Sequence, residues 1–150
     1  MTQFFQFEAD FVDSLRCIPM QVRFKLDTCG VKLKLPDWYR LTQAERQELV
    51  ERPCMTEPEI AAYRTHLRQL VQAHTGERPA DLPALSDPDW LNATTIPDSV
   101  QLQAEAVQQS ISLEQWTNLT PLQRFALIKL SRSQHENKNF LPAMQEFHLL

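Results

Sequence analysis

Leu35-Pro36-Asp37-Trp38-Tyr39-Arg40-Leu41-Thr42-Gln43-Ala44-Glu45-Arg46-Gln47-Glu48-Leu49 is matched without a gap by Leu113-Glu114-Gln115-Trp116-Thr117-Asn118-Leu119-Thr120-Pro121-Leu122-Gln123-Arg124-Phe125-Ala126-Leu127. Both stretches read L-x-x-W-x-x-L-T-x-x-[EQ]-R-x-x-L at an offset of 78 residues, the interval from Trp38 to Trp116. Each shared residue has a mechanical reading. Thr42 and Thr120 stand where a side chain accepts a free backbone N–H at a helix start, and Glu45 and Gln123 follow three residues later, completing a capping box. Pro121 strengthens the second start, because the N–H that proline lacks has no partner in a first turn. Upstream the match continues with Ile18-Pro19 against Ile96-Pro97 and Val22 against Val100. Residues 18–49 therefore read as approximately duplicated in residues 96–127.

Working outward, the chain reads as helices cut to defined lengths. Pro19 to Thr28 is predicted helical, with Val22 and Leu26 on one face and Gly30 as a stop. Val31-Lys32-Leu33-Lys34-Leu35 alternates with period two, so an extended run is expected, with Phe4 to Phe7 as its candidate partner in a minor short β-ladder. Gln43 to about Arg52 is the next helix, interrupted by Pro53. Thr56-Glu57-Pro58-Glu59 is a further capping box, opening the longest helix on Ile60, Tyr63, Leu67, Leu70, Val71 and His74, with Gly76 beyond its end. Glu77 to Thr95 reads as a linker between the repeat-like halves, in which Trp90 is expected to pin the loop to the body rather than anchor a partner. Helices are predicted from Pro97 to about Ser110, from Pro121 to about Arg132 and from Pro142 to about His148. The expectation is a single, mainly α, compact helical domain over residues 1–150.

Composition agrees. Hydrophobic residues make up 43% and charged residues 23%, which is globular, and two glycines against ten prolines suit helices better than tight hairpins. A net charge of −4 argues against nucleic-acid binding. The opening residues carry no basic region followed by an apolar run, and no stretch approaches the roughly 20 apolar residues that cross a bilayer, so a soluble cytoplasmic protein is expected. Cys17, Cys29 and Cys54 are odd in number and dispersed, and His66, His74, His135 and His148 form no cluster in sequence. Reduced structural thiols, no metal site and no cofactor are the expectation.

The sequence holds no phosphate-binding glycine loop, HExxH, nucleophile elbow or EF-hand. Three segments remain. Leu122 to Leu130 is apolar nearly all round, which requires cover and gives Arg124 a need for a carboxylate or carbonyl. His135-Glu136-Asn137-Lys138-Asn139-Phe140 reads either as a polar contact patch or as a helix connection with Asn139 as cap and Pro142 starting the next helix. Arg16 to Lys25 carries basic residues that could grip an acidic partner or a phosphate, and a solvated helix face is the preferred account of them. Two other classes stay open: a regulatory nucleic-acid-binding module using Arg124, Lys129, Arg132 and Lys138, and a small thiol enzyme using Cys17 or Cys54 as nucleophile.

Several of these runs together carry a family resemblance. They are Phe5-Gln6-Phe7-Glu8, Ser14 to Asp27, Leu35-Pro36-Asp37-Trp38, Gln123 to Leu130, His135-Glu136-Asn137 and Asn139-Phe140-Leu141-Pro142. In this order they resemble the nitrate reductase-associated protein family of nitrate-assimilating photosynthetic bacteria, over almost the whole chain. The resemblance implies a non-catalytic accessory factor that binds assimilatory nitrate reductase, a ferredoxin-dependent molybdenum enzyme, and supports its activity, maturation or stability. It brings no catalytic residues and does not place the enzyme's cofactors on this chain. The candidate partner-binding residues are Arg16, Arg23, His135, Glu136, Asn137 and Asn139, polar positions that helix spacing does not oblige to be core.

Overall fold

Proline starts and hydroxyl caps set the helix boundaries. The computed structural model describes residues 4–8, 15, 17–82, 88–134 and 136–150. Among them run eight α-helices: α1 Met20–Cys29, α2 Leu35–Arg40, α3 Gln43–Glu51, α4 Glu57–Thr75, α5 Asp98–Ala106, α6 Leu113–Asn118, α7 Pro121–Arg132 and α8 Phe140–Glu146. The fold is mainly α, and its described residues divide into two compact units. One comprises Phe4, Glu8 and the chain on to Leu82; the other comprises Phe5–Phe7 and the chain from Pro88 to Leu150.

In the first unit α1 starts after the extended Pro19, and the Met20 N–H donates to the buried Glu8 carboxylate at 3.0 Å. A negative group at that end complements the helix dipole. α1 ends at Gly30, whose φ of 75° lets the Val31 N–H donate back to Leu26 O, the bond that closes the last turn. Capping boxes form as the sequence predicts at Thr42 with Glu45 and at Thr56 with Glu59. The core joins Val22 and Leu26 of α1, Trp38 of α2, Leu49 and Val50 of α3, and Tyr63, Leu67 and Val71 of α4. Burying each of these large side chains contributes about 1.5–3 kcal/mol, which the short helices could not supply from propensity alone.

The second unit repeats the first three elements with α5, α6 and α7, and Thr120 with Gln123 completes the expected box. α7 is the central element: Phe125, Ala126, Leu127, Ile128 and Leu130 are all buried, against α5, α8 and a 3-10 turn at Asp89–Leu91. Trp90 is buried in that turn, its ring edge-to-face with Phe125 at 5.1 Å, so it pins the loop as expected. Phe5 meets Phe147 edge-to-face at 5.1 Å, and the Gln6 and Phe7 N–H groups donate to the Glu146 carboxylate at 2.7 and 3.2 Å.

Four local expectations are corrected. Gln6–Glu8 is a 3-10 turn, so Phe4 to Phe7 supplies no ladder strand; Val31 instead forms an isolated antiparallel bridge with Asp81, the β pairing present among the described residues. Leu35 does not extend the preceding run but opens α2, with Pro36 in its first turn, and α6 repeats this. α6 has its own capping box, Ser112 with Gln115, a signal present in the sequence. α5 stops at Ala106, short of Ser110, because Gln108 takes a φ of 61° and the Gln109 N–H turns back to Ala104 O. α8 starts at Phe140, with Pro142 as its third residue rather than its start, and ends in the same way as α5, with His148 at φ 60° and the Leu149 N–H on Met144 O. Glutamine and histidine in a left-handed cap carry none of glycine's signal.

Candidate functional site

The shared tryptophan and arginine form one clamp, built twice. In the first unit the fully buried Trp38 donates its indole N–H to Leu15 O at 2.8 Å. Arg46, one turn into α3, donates to Trp38 O at 3.1 Å, Tyr39 O at 3.0 Å and Leu15 O at 3.4 Å. In the second unit Trp116 donates to Asn92 O at 3.0 Å, and Arg124 donates to Trp90 O at 2.7 Å, Leu119 O at 2.6 Å and Trp116 O at 3.3 Å. Each guanidinium thus ties the carbonyl end of a short helix to an upstream loop. A planar five-donor fork suits this role, and lysine's compact ammonium does not. Burial lowers the pKa of Arg124, yet its donors are met by carbonyls. Both arginines therefore have structural duties.

Lys25 is a further buried cation. Its ammonium donates to Val50 O and Arg52 O, both at 2.6 Å, closing the end of α3, and lies 5.9 Å from the Tyr63 ring centroid. Burial lowers its pKa. The Tyr63 hydroxyl donates to Leu49 O at 2.8 Å, and burial holds its pKa well above the ordinary phenol value. Cys17, Cys29 and Cys54 form no disulfide. Burial, with Cys29 nearby, pushes the Cys54 thiol up to about 12, the opposite of what a nucleophile needs, and burial raises Cys29 also. Among the described residues no three His, Cys, Asp or Glu side chains converge as metal ligands.

The predicted contact residues fall in both units. Arg16 and His135 lie outside the described residues. Arg23 belongs to the first unit, half-buried on α1, its Nε–H donating to Ile18 O at 3.0 Å. Glu136, Asn137 and Asn139 come together in the second unit at the 3-10 turn Asn137–Asn139, each partly exposed. Asn139 holds the cap position of α8 without a side-chain cap bond, so this turn is closed by backbone, with the Asn139 N–H on Glu136 O.

The four basic residues of the nucleic-acid alternative are largely engaged. Arg124 is buried, Lys129 lies over the Phe125 ring at 5.2 Å, and Arg132 pairs with Asp89 at 3.1 Å. Arg132 and Asp89 also edge a pocket of about 290 Å³ with Asn92, Thr95, Asp98 and Ser99, a lining of mixed charge with no excess of cation. The sequence reading missed the work of Glu8, and Lys25, read there among basic residues on a solvated helix face, is instead buried with its ammonium on two carbonyls. A charged residue at helical core spacing was the available signal for Lys25; Glu8 had none.

The site and fold together define a class: a mainly α protein built on a duplicated tryptophan–arginine clamp, with the buried Glu8, Lys25, Tyr63 and Arg124 side chains turned to the backbone. The family model for conserved nitrate reductase-associated protein matches residues 4–147, and the chain belongs to that family. No curated protein and no solved structure gives a significant match. No described helix is long and apolar enough to cross a membrane.

Proposed function

We propose that this protein is a non-catalytic, cytoplasmic accessory factor that binds assimilatory nitrate reductase, the ferredoxin-dependent molybdenum enzyme, and supports its activity, maturation or stability. The observation that carries this reading is family membership over residues 4–147. The chemistry of the buried groups supports it. Arg46, Arg124, Lys25 and Tyr63 spend their donors on main-chain carbonyls, and Cys54 is held as a neutral thiol. A binding protein needs a surface with anchors and no catalytic constellation. The proposed contact residues are Arg16 and Arg23, with His135, Glu136, Asn137 and Asn139.

The test is genetic and biochemical. Deleting the gene should impair growth on nitrate while sparing growth on ammonium, and tagged protein should co-purify with the enzyme. Substituting His135, Glu136 and Asn137 together by Ala should leave the fold intact, because a connection carries little of the core. It should reduce co-purification. Normal nitrate reductase activity in the deletion strain would overturn the reading; a silent triple substitution alone would overturn only the choice of contact residues.

A further inference from the structure

The duplication supplies an internal control. Where both copies keep a residue, the shared architecture accounts for it; where only one copy carries a costly surface residue, the architecture does not require it. Leu35 matches Leu113, and both are exposed, at 42% and 51%. The neighbouring positions differ. Lys32, Lys34 and Tyr39 of the first copy correspond to Ser110, Ser112 and Thr117 of the second. Lys32 and Lys34 alternate outward from the extended run before α2, both exposed, with Val31 buried and Leu33 half-buried between them. Neither makes a side-chain hydrogen bond or ion pair among the described residues. Leu35 and Tyr39 lie four apart on α2 and so share a face, and Tyr39 is 49% exposed. Arg40 is partly committed, donating to His74 O at 3.2 Å, and Asp37 is half-buried in the first turn of α2. The face is thus an aromatic and a leucine with two ammonium groups unpaired among the described residues, on a chain whose net charge is −4.

Resting on the functional reading above, we propose that this face of the first unit is a docking surface for an acidic segment of nitrate reductase, a stretch carrying carboxylates around an apolar side chain. Charge complementarity carries the choice of occupant. An acidic partner is repelled by the protein's overall charge and attracted at this edge, which fixes the approach and register. Tyr39 then supplies the anchor, since a half-exposed tyrosine offers large contact area with two torsions to immobilise.

The experiment measures binding of the full chain to purified nitrate reductase at two salt concentrations. The decisive variant carries the second copy's own residues, Lys32→Ser, Lys34→Ser and Tyr39→Thr, and its fold is checked by circular dichroism. Lys32→Glu with Lys34→Glu is a second variant confined to exposed side chains. Both should weaken binding at least tenfold and lose most of the salt dependence shown by the unsubstituted protein. Unchanged affinity in folded variants overturns the docking surface and leaves the functional reading standing. Failure of the unsubstituted protein to bind overturns both. Binding of the unsubstituted protein to phosphatidylserine vesicles, lost in the variants while enzyme affinity is unchanged, overturns the proposal in favour of a membrane surface.

Discussion

Arg46 and Arg124 stand at the same place in two copies of one clamp, yet Arg46 is half-buried at an edge and Arg124 is 5% exposed at a centre. The helices they open differ likewise. α3 presents Gln47 and Glu48 where α7 presents Phe125 and Ala126. The capping box and the tryptophan specify where a helix starts and what its arginine holds. The flanking side chains specify whether that helix lies at the rim or the middle of its unit. A start signal and a burial signal are therefore written in different residues, and duplication has let them diverge.

The sharpest test of the common clamp is to remove its tryptophan. Trp38→Ala and Trp116→Ala should each cost about 3–5 kcal/mol, because both rings are fully buried and leave a large cavity. Urea denaturation followed by circular dichroism reads the loss, and a mild effect in one copy would break the equivalence. Removing the arginines should separate the copies. Arg124→Ala leaves buried carbonyls of Trp90, Leu119 and Trp116 without this donor and should cost about 3 kcal/mol, against about 1 kcal/mol for Arg46→Ala at the edge.

Alkaline pH should act chiefly on the first unit, since Cys29 and Cys54 lie there and residues 88–150 contain no cysteine. The folded Cys54 thiol stays protonated to about 12, whereas the unfolded one ionises near the ordinary 9.0. Its stabilising contribution is whole below 9.0 and falls as pH rises towards 12, by at most roughly 3 kcal/mol at about pH 11. Tyr63 acts in the same direction, and Lys25, whose pKa is lowered, opposes it. Denaturation midpoints of the protein and of Cys54→Ala, compared across this range, should show a flatter slope in the variant. The smallest effect concerns Glu45 against Gln123. Burial pushes the Glu45 carboxyl up, but bonds from the Thr42 N–H and from His74 at 2.8 Å outweigh it and lower the pKa. Its contribution is present above the ordinary 4.5 and lost as pH falls through the folded value. Glu45→Gln, which copies the second box, should make stability less sensitive to acid by a few tenths of a kcal/mol.

The repeat, the caps at Thr42, Thr56 and Thr120, and the helices they open were legible because each depends on residues a few positions apart. α2 and α6 were not, although Ser112 with Gln115 announced one of them; six residues give too little period to read. The ends at Gln108 and His148 were invisible because residues other than glycine took the left-handed position. The carbonyls that Lys25 holds, the Trp90 carbonyl that Arg124 reaches 34 positions away and the Met20 N–H on Glu8 are set by packing that no local pattern encodes. Of the contact candidates, the cluster of Glu136, Asn137 and Asn139 at one turn followed from adjacency, whereas the basic edge at Lys32 and Lys34 emerged only when exposure could be compared between copies.

The bond from the Gln6 N–H to the Glu146 carboxylate spans 140 positions in sequence. It has a consequence for the order of synthesis. The clamp of the first unit bridges 23 residues from Trp38 to Leu15, and that of the second bridges 24 from Trp116 to Asn92, so each closes a short loop soon after its own segment leaves the ribosome. Residues 5–7 are therefore made well before their partners Glu146 and Phe147, 139 positions separating Phe7 from Glu146. Over that interval the Phe5 and Phe7 rings have no Phe147 to cover them. The nascent chain carries an apolar segment that waits for these partners, and that interval is when it is most open to aggregation or to a chaperone.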